Sequence, residues 1–451
     1  CFRIQHERNL YRYDEYTKLK KVADFATESG TISYLDNQFF VDLVTWYHLA
    51  WLAESLRDSD AVAKALFAKG HGLDWEDRRQ LIALIASLLA EVTARYRRLA
   101  EQGKIEISTT PYAHPILPLL IDFRAARETV PDAKIPLTSY PGGRERAQDH
   151  IARAQSAHQS CFGQPPVGCW PAEGAVSTAS LRLLGQAGLQ WCATGEAVLH
   201  HSLGYNLRER QPDALYHPWR VGSGDHAISC FFRDDRLSDK IGFEYSKWGT
   251  GDAVANLVHE LLCVRHRAQG TPHPVVLIAM DGENAWEHYD RNGLPFLTQL
   301  YRAVAEHPDL QMTTFADYTA TVNDIPQLPH LVSGSWVYGN LSTWIGDDAK
   351  TLGWELLIAA KEAVDAAWGT LSSVQREQVS AQLAICEGSD WCWWFGDYNP
   401  SDAVRDFDHL YRRHLVKLYD MIGHPAPQLL SRSISTGGGA AEGGGTMRRG
   451  G

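Results

Sequence analysis

The sequence predicts an α/β fold: a parallel sheet covered by helices and closed into a barrel, followed by a helical domain. Three observations carry this. Apolar runs of strand length alternate with helical patterns from Ile105 to Phe315, the rhythm of a parallel sheet with both faces covered. Two of those runs give way to a carboxylate, Glu173 in PPVGCWPAEGAVS and Asp281 in HPVVLIAMDGENAWEHY. After about Pro326 helical patterns follow one another with no strand between them. An open doubly wound sheet and a closed barrel both fit the alternation. Acids on two different strand ends favour the barrel, because barrel enzymes keep their chemistry at the C-terminal ends of the strands.

The opening stretch, to about Lys104, is helical. FFVDLVTWYHLAWLAESL and QLIALIASLLAEVTARYRRL carry apolar residues at helical spacing, and Leu81, Ile85, Leu88, Val92 and Tyr96 form one stripe. Gly103 then ends the helix and IEISTT begins a strand. Predicted strands cover residues 105–110, 167–171, 189–194, 227–232, 275–280 and 311–315, with helices over 144–159, 177–187, 252–268 and 294–306. Ser177 is placed to cap the second of these helices. Beyond the last strand, helices are expected over 351–368, 373–386 and 402–422, the last with a buried stripe of Phe407, Leu410, Tyr411, Leu418 and Ile422. The domain division is 1–326 for the barrel with its helical opening, 327–430 for the helical domain, and 431–451 for a Gly-rich tail. That tail has too few apolar side chains to offset the entropy of ordering it and is expected to be disordered.

Composition narrows the function. A net charge of -11 argues against a nucleic-acid partner, whose phosphates need a basic surface. No apolar stretch reaches the roughly 20 residues needed to span a bilayer, so no membrane association is expected. The eight cysteines show no CxxC pair, and several lie inside apolar runs, such as Cys192 in LQWCA and Cys230 in ISCFF. Buried free thiols and a cytoplasmic location follow. Fifteen Trp and 18 Tyr are rings of the kind that stack on sugars, although core packing uses the same residues.

Paired carboxylates on separate strand ends are the usual equipment for cleaving glycosidic bonds. Glu173 sits in a Trp-Pro turn, with Trp170 three residues before it. Asp281 is followed closely by Glu283, Trp286, Glu287 and His288; crowded carboxylates raise one another's proton affinity, as a proton donor requires. Trp170 and Trp286 flank the two acids and wall a sugar subsite or pack the core.

Four segments carry a family resemblance. TTPYAHPILPLL, WPAEGAVS, MDGENAWEHY and EGSDWCWWFGD resemble, in order, motifs of glycoside hydrolase family 57, whose members include α-amylase-like enzymes, 4-α-glucanotransferases, branching enzymes and amylopullulanases. The resemblance runs from about Glu101 to Tyr419. It implies an incomplete seven-stranded barrel followed by a helical domain, and a retaining mechanism on α-1,4-glucans. By motif position it assigns Glu173 as nucleophile and Asp281 as general acid/base. It also points to substrate contacts from His114, Trp170, Glu283, Trp286, His288, Asp390 and Trp391. The family's first strand carries a His-Gln-Pro motif, which stands nowhere before Glu101, and the chain begins at Cys1; a fragment lacking its first strand is expected.

Hydrolase and transferase share these motifs, and the sequence leaves that choice and the oligomeric state open. The rival expectations are an inactive glucan-binding fragment and a metal-dependent deacetylase or mannosidase on a related barrel. Asp281, Glu283 and His288 offer ligand chemistry, but HxxxH-type spacing is missing and His200 and His201 are adjacent. No metal and no cofactor is expected.

Overall fold

The computed structural model describes residues 10–282, 285–322 and 324–438. The chain forms two compact units: one of residues 1–99, 237–263 and 280–312, the other of residues 100–236, 264–279 and 313–451.

The second unit holds the sheet. Among the described residues it has four strands in the order β1-β2-β4-β3: β1 Gly168–Cys169, β2 Trp191–Gly195, β3 Trp219–Val221 and β4 Ile228–Arg233. β1, β2 and β4 run parallel, with Cys169, Cys192 and Cys230 in register, whereas β3 pairs antiparallel with the start of β4. Every residue of β2 and β4 is buried, as expected of parallel strands covered on both faces. Gly168 is required by a close approach: a Cβ there would lie 1.8 Å from the Trp191 indole.

Several strand expectations need correction. Residues 105–110 contribute one parallel bridge, Thr109 to Cys169, and residues 275–280 contribute one, Leu277 to Arg233. Residues 311–315 form no strand. The Thr314 hydroxyl instead accepts the Asp317 N–H and caps a helix, Phe315–Thr321. The apolar end of that run still reaches the core, where Phe315 stacks on Trp191 at 4.0 Å beside Phe231 and Tyr318. Burying rings of this size contributes roughly 2–3 kcal/mol each. β3 went unpredicted, since three residues are too few to show a period.

Helices follow the sequence closely. Gly143–Phe162, Thr178–Gln186, Asp348–Ala367, Ser373–Glu387 and Ser401–Met421 lie in this unit. Ser177 caps its helix in a reciprocal pair with Ser180. In Ser401–Met421 the buried stripe is Val404, Asp408, Tyr411, Leu415 and Leu418, whereas Leu410 is 49% exposed. Leu410 sits one residue, about 100°, off a stripe that steps by three and four.

The start of the Gly-rich tail is held by backbone hydrogen bonds rather than by apolar side chains. The N–H groups of Ile434 and Ser435 donate to Asp408 at 2.7 and 3.3 Å, and Ser435 Oγ accepts the Gly396 N–H at 3.1 Å. Residues 439–451 lie outside the described residues. Asp408 also pairs with Arg412 at 2.8 Å and is fully buried. Asp408→Ala is therefore expected to cost about 2–4 kcal/mol, because it strands buried donors. Urea unfolding of the full chain measures this; an unchanged midpoint would mean that the tail contacts contribute nothing.

The first unit is helical. Asp14–Glu28, Asn37–Ala50 and Trp75–Glu101 pack around Tyr16, Trp46, Leu49, Leu66 and Leu81. Of the stripe expected on the long helix, Leu81, Ile85 and Leu88 join this core, while Val92 and Tyr96 are 46% and 51% exposed. The helix Leu294–Glu306 belongs to the same unit, as does the helix Thr250–Arg267 up to Cys263. Among the described residues, no helix is long and apolar enough to cross a membrane.

Candidate active site

Glu173 lies just past β1, in the turn Ala172–Gly174, with φ 56° and ψ 24°. A non-glycine residue in the left-handed region costs on the order of 1–3 kcal/mol and persists only where its surroundings impose it. Here they do. The Trp336 indole N–H donates to Glu173 Oε2 at 3.0 Å, and the Trp336 backbone N–H donates to the Glu173 carbonyl at 3.2 Å. Thr194, near the end of β2, donates its hydroxyl to the Gly174 carbonyl at 2.6 Å. An ionised carboxylate offers only acceptors, so an indole donor matches it and fixes its orientation.

Aromatic rings wall this corner. Trp170 meets Trp336 edge to face at 5.2 Å, and the Arg233 guanidinium lies 5.5 Å from the Trp336 ring centre. Both indoles are half-buried. The wall therefore combines two aromatic rings with a neighbouring cation.

Further charged groups occupy the same C-terminal edge of the parallel strands. Glu196 follows β2, and Asp234 and Asp235 follow Arg233 at the end of β4; all four are buried. Arg233 pairs with Asp235 at 2.6 Å and donates to the Ala279 carbonyl at 2.8 Å. The Asp235 N–H donates to Glu196 at 3.2 Å, and Tyr216 donates its hydroxyl to Asp234 at 3.1 Å. Sequence reasoning missed these residues, although ISCFFRDD carries the signal that singled out Asp281, an apolar run ending in acid.

His114 is half-buried in a loop after Thr110, with Nδ1 2.8 Å from Ser389 Oγ. The strand-end segment and β1 bring this loop beside the Glu173 turn: the Trp170 N–H donates to the Thr109 carbonyl at 2.9 Å, and Thr110 donates its hydroxyl to the Trp170 carbonyl.

In the other unit, Asp281 is half-buried. The short turn Trp286–His288 follows, with Ala285 before it at φ 68°. Trp286 packs on Tyr289 at 5.5 Å, and Tyr289 donates its hydroxyl to the Ile241 carbonyl at 2.5 Å. His288 is exposed, 3.8 Å from Glu287. Glu283 lies outside the described residues.

The aromatic run near the end of the chain divides. Trp391 is buried, stacked on Tyr411 at 4.5 Å and set against Trp354, so its ring is core rather than a sugar platform. Trp393 and Trp394 are half-buried, and Asp390 is exposed at the start of the helix Asp390–Trp394. Just before it, Glu387 is fully buried and accepts from Tyr140 at 2.6 Å, from Arg146 at 2.7 Å and from His150 at 2.7 Å. Among the described residues no group of three or more His, Cys, Asp or Glu is arranged to hold a metal ion.

Comparison with known proteins gives these features a family. No curated protein sequence matches the chain. Solved structures with the same fold include a branching enzyme of the GH57 type from the hyperthermophilic archaeon Pyrococcus horikoshii, at 13% identity and TM-score 0.58, over 88% of this chain and 83% of that one. A GH57 branching enzyme from Thermococcus kodakaraensis, in complex with glucose and additives, aligns at 14% identity and TM-score 0.58 over 92% and 85%. An α-amylase from Thermotoga maritima aligns at 16% identity and TM-score 0.56 over 86% and 80%. The sequence model of glycosyl hydrolase family 57 matches residues 11–327, and the chain belongs to that family.

Proposed function

We propose that this protein is a retaining enzyme acting on α-1,4-glucans, with Glu173 as nucleophile and Asp281 as general acid/base. The observation that carries the reading is the Glu173 turn: a carboxylate held in a left-handed backbone at the end of β1, oriented by the Trp336 N–H and walled by Trp170. Backbone strain of this kind clusters at active sites. The role of Asp281 rests on its motif position.

The chemistry runs in two displacements. A Glu173 oxygen attacks the anomeric carbon while the glycosidic oxygen takes the proton of Asp281 and leaves with the bonding pair. This forms a glycosyl ester on Glu173. Asp281, now a carboxylate, takes a proton from the incoming hydroxyl, whose oxygen displaces Glu173. Water as the incoming group gives hydrolysis; a sugar hydroxyl gives transfer. The matching fold reading is an incomplete seven-stranded barrel over 1–326 with a helical domain over 327–430. The free thiols Cys169, Cys192 and Cys230 suit a cytoplasmic location, and the net charge of -11 suits a neutral glucan substrate better than nucleic acid.

Incubation with maltooligosaccharides, with products resolved by chain length, tests the substrate class. Trapping with a fluorinated glycosyl fluoride tests the nucleophile: a covalent adduct on the peptide containing Glu173 is expected, and an adduct on another carboxylate would overturn the assignment. Trp336→Phe keeps an aromatic ring, though a smaller one, and removes the donor to Glu173. It is expected to lower kcat about tenfold with little loss of stability; unchanged kcat would mean that the indole N–H does not orient the nucleophile.

A further inference from the structure

Ala113 and His114 are consecutive non-glycine residues in the left-handed region, at φ 58° and φ 61°. Two such residues in a row need an external hold. Three consecutive residues far along the chain, Glu387, Gly388 and Ser389, grip three consecutive residues of this loop. Glu387 bonds to His150 Nε2 at 2.7 Å; His150 Nδ1 bonds in turn to the Tyr112 carbonyl, and the Tyr112 N–H donates to the His150 carbonyl at 3.0 Å. Gly388 lies against Ala113, where a Cβ would stand 2.6 Å from the Ala113 carbonyl oxygen. Ser389 donates its N–H to the His114 carbonyl at 3.0 Å and places Oγ 2.8 Å from His114 Nδ1.

The last contact determines a proton. Ser389 is 3% exposed, and a buried hydroxyl proton left without an acceptor is costly. His114 Nδ1 is the acceptor at hand, so the hydroxyl donates to it. A nitrogen that accepts carries no proton, and the neutral imidazole then keeps its proton on Nε2. Whatever His114 meets through Nε2 meets a donor, suited to a sugar hydroxyl or ring oxygen.

We infer that Ser389 is the positioning residue of His114, fixing the Nε2–H tautomer, with Gly388 and Glu387 holding the strained loop beneath the ring. The inference rests on the reading of His114 as a substrate contact, and its test separates the two. In protein labelled with ¹⁵N-histidine, the His114 signals are identified by their loss in His114→Gln. They are expected to show Nδ1 unprotonated and Nε2 protonated at neutral pH, and Ser389→Ala is expected to shift them toward a mixture of tautomers. On maltooligosaccharides, Ser389→Ala should lower kcat/KM about tenfold, and should cost nothing further in a His114→Ala background, because residues that act through one another are not additive. A proton on Nδ1 in the wild type, or losses that add in full, overturns the inference. Should Ser389→Ala fail to fold, the wild-type spectrum decides alone. If the tautomer is as stated but His114→Ala turns over normally, the tautomer assignment stands and the substrate contact falls.

Discussion

Glu173→Gln is expected to reduce turnover of maltooligosaccharides by about four orders of magnitude or more while leaving the fold intact. The amide occupies the same volume and still accepts the Trp336 N–H that the carboxylate accepts at 3.0 Å. It is not a nucleophile, so the glycosyl ester cannot form. Asp281→Asn separates the roles. It removes the proton donor, so it should abolish most activity on glucans, whose leaving oxygen needs a proton. It should spare a substrate with a good leaving group, where the first displacement needs none. Equal losses on both substrates would show the two roles to be wrongly assigned. Loss of folding in Glu173→Gln, seen by circular dichroism, would place the residue among the structural carboxylates instead.

Much of the helical content was legible in the sequence because period and cap agree there. Ser177, for instance, caps its helix as its position promised, and Ser180 makes the cap reciprocal. The strands were less legible. Residues 275–280 read as a buried strand, yet they pair through a single bridge and stay half-buried, because an apolar run fixes neither ladder length nor depth. Residues 311–315 were misread for a related reason: Phe315 packs against Trp191 from the first turn of a helix rather than from a strand. Glu173 itself could be found, since the acid follows an apolar run within a motif. Its hydrogen bond from Trp336 could not, because that contact spans 163 positions and no local pattern encodes it. Trp391 marks the opposite failure. Four aromatics in five residues announce a functional surface or a core, and only packing against Tyr411 and Trp354 decides for the core.

Glu387→Gln is expected to be the most destabilising single substitution among those argued here, at about 3–5 kcal/mol, because it removes the negative charge from a buried cluster in which Arg146 and His150 both donate to it. The carboxylate touches Tyr140, Arg146 and His150 with no exposed side-chain surface. Burial alone pushes its carboxyl group up, but the His150 and Arg146 hydrogen bonds and the Arg146 charge outweigh burial and hold it at about 2, below the ordinary value of 4.5. Arg146 answers in the same sense: burial pushes it down, and the bond to Glu387 more than restores it. The sign of the pH dependence follows. A carboxyl whose value is depressed in the folded state binds its proton more readily when unfolded, so its stabilisation is complete above the unfolded value and declines as pH falls. The contribution of Glu387 should therefore be whole above about pH 4.5 and be lost between there and about pH 2. Urea unfolding of the wild type and of Glu387→Gln across that window measures it. The two stabilities should converge as the pH falls, since glutamine has no proton to gain and the wild type loses what distinguishes it. A gap that stays constant from pH 7 to pH 2 would mean that folding leaves the proton affinity of this carboxyl unchanged, and that shape rather than charge holds Tyr140, Arg146 and His150 together.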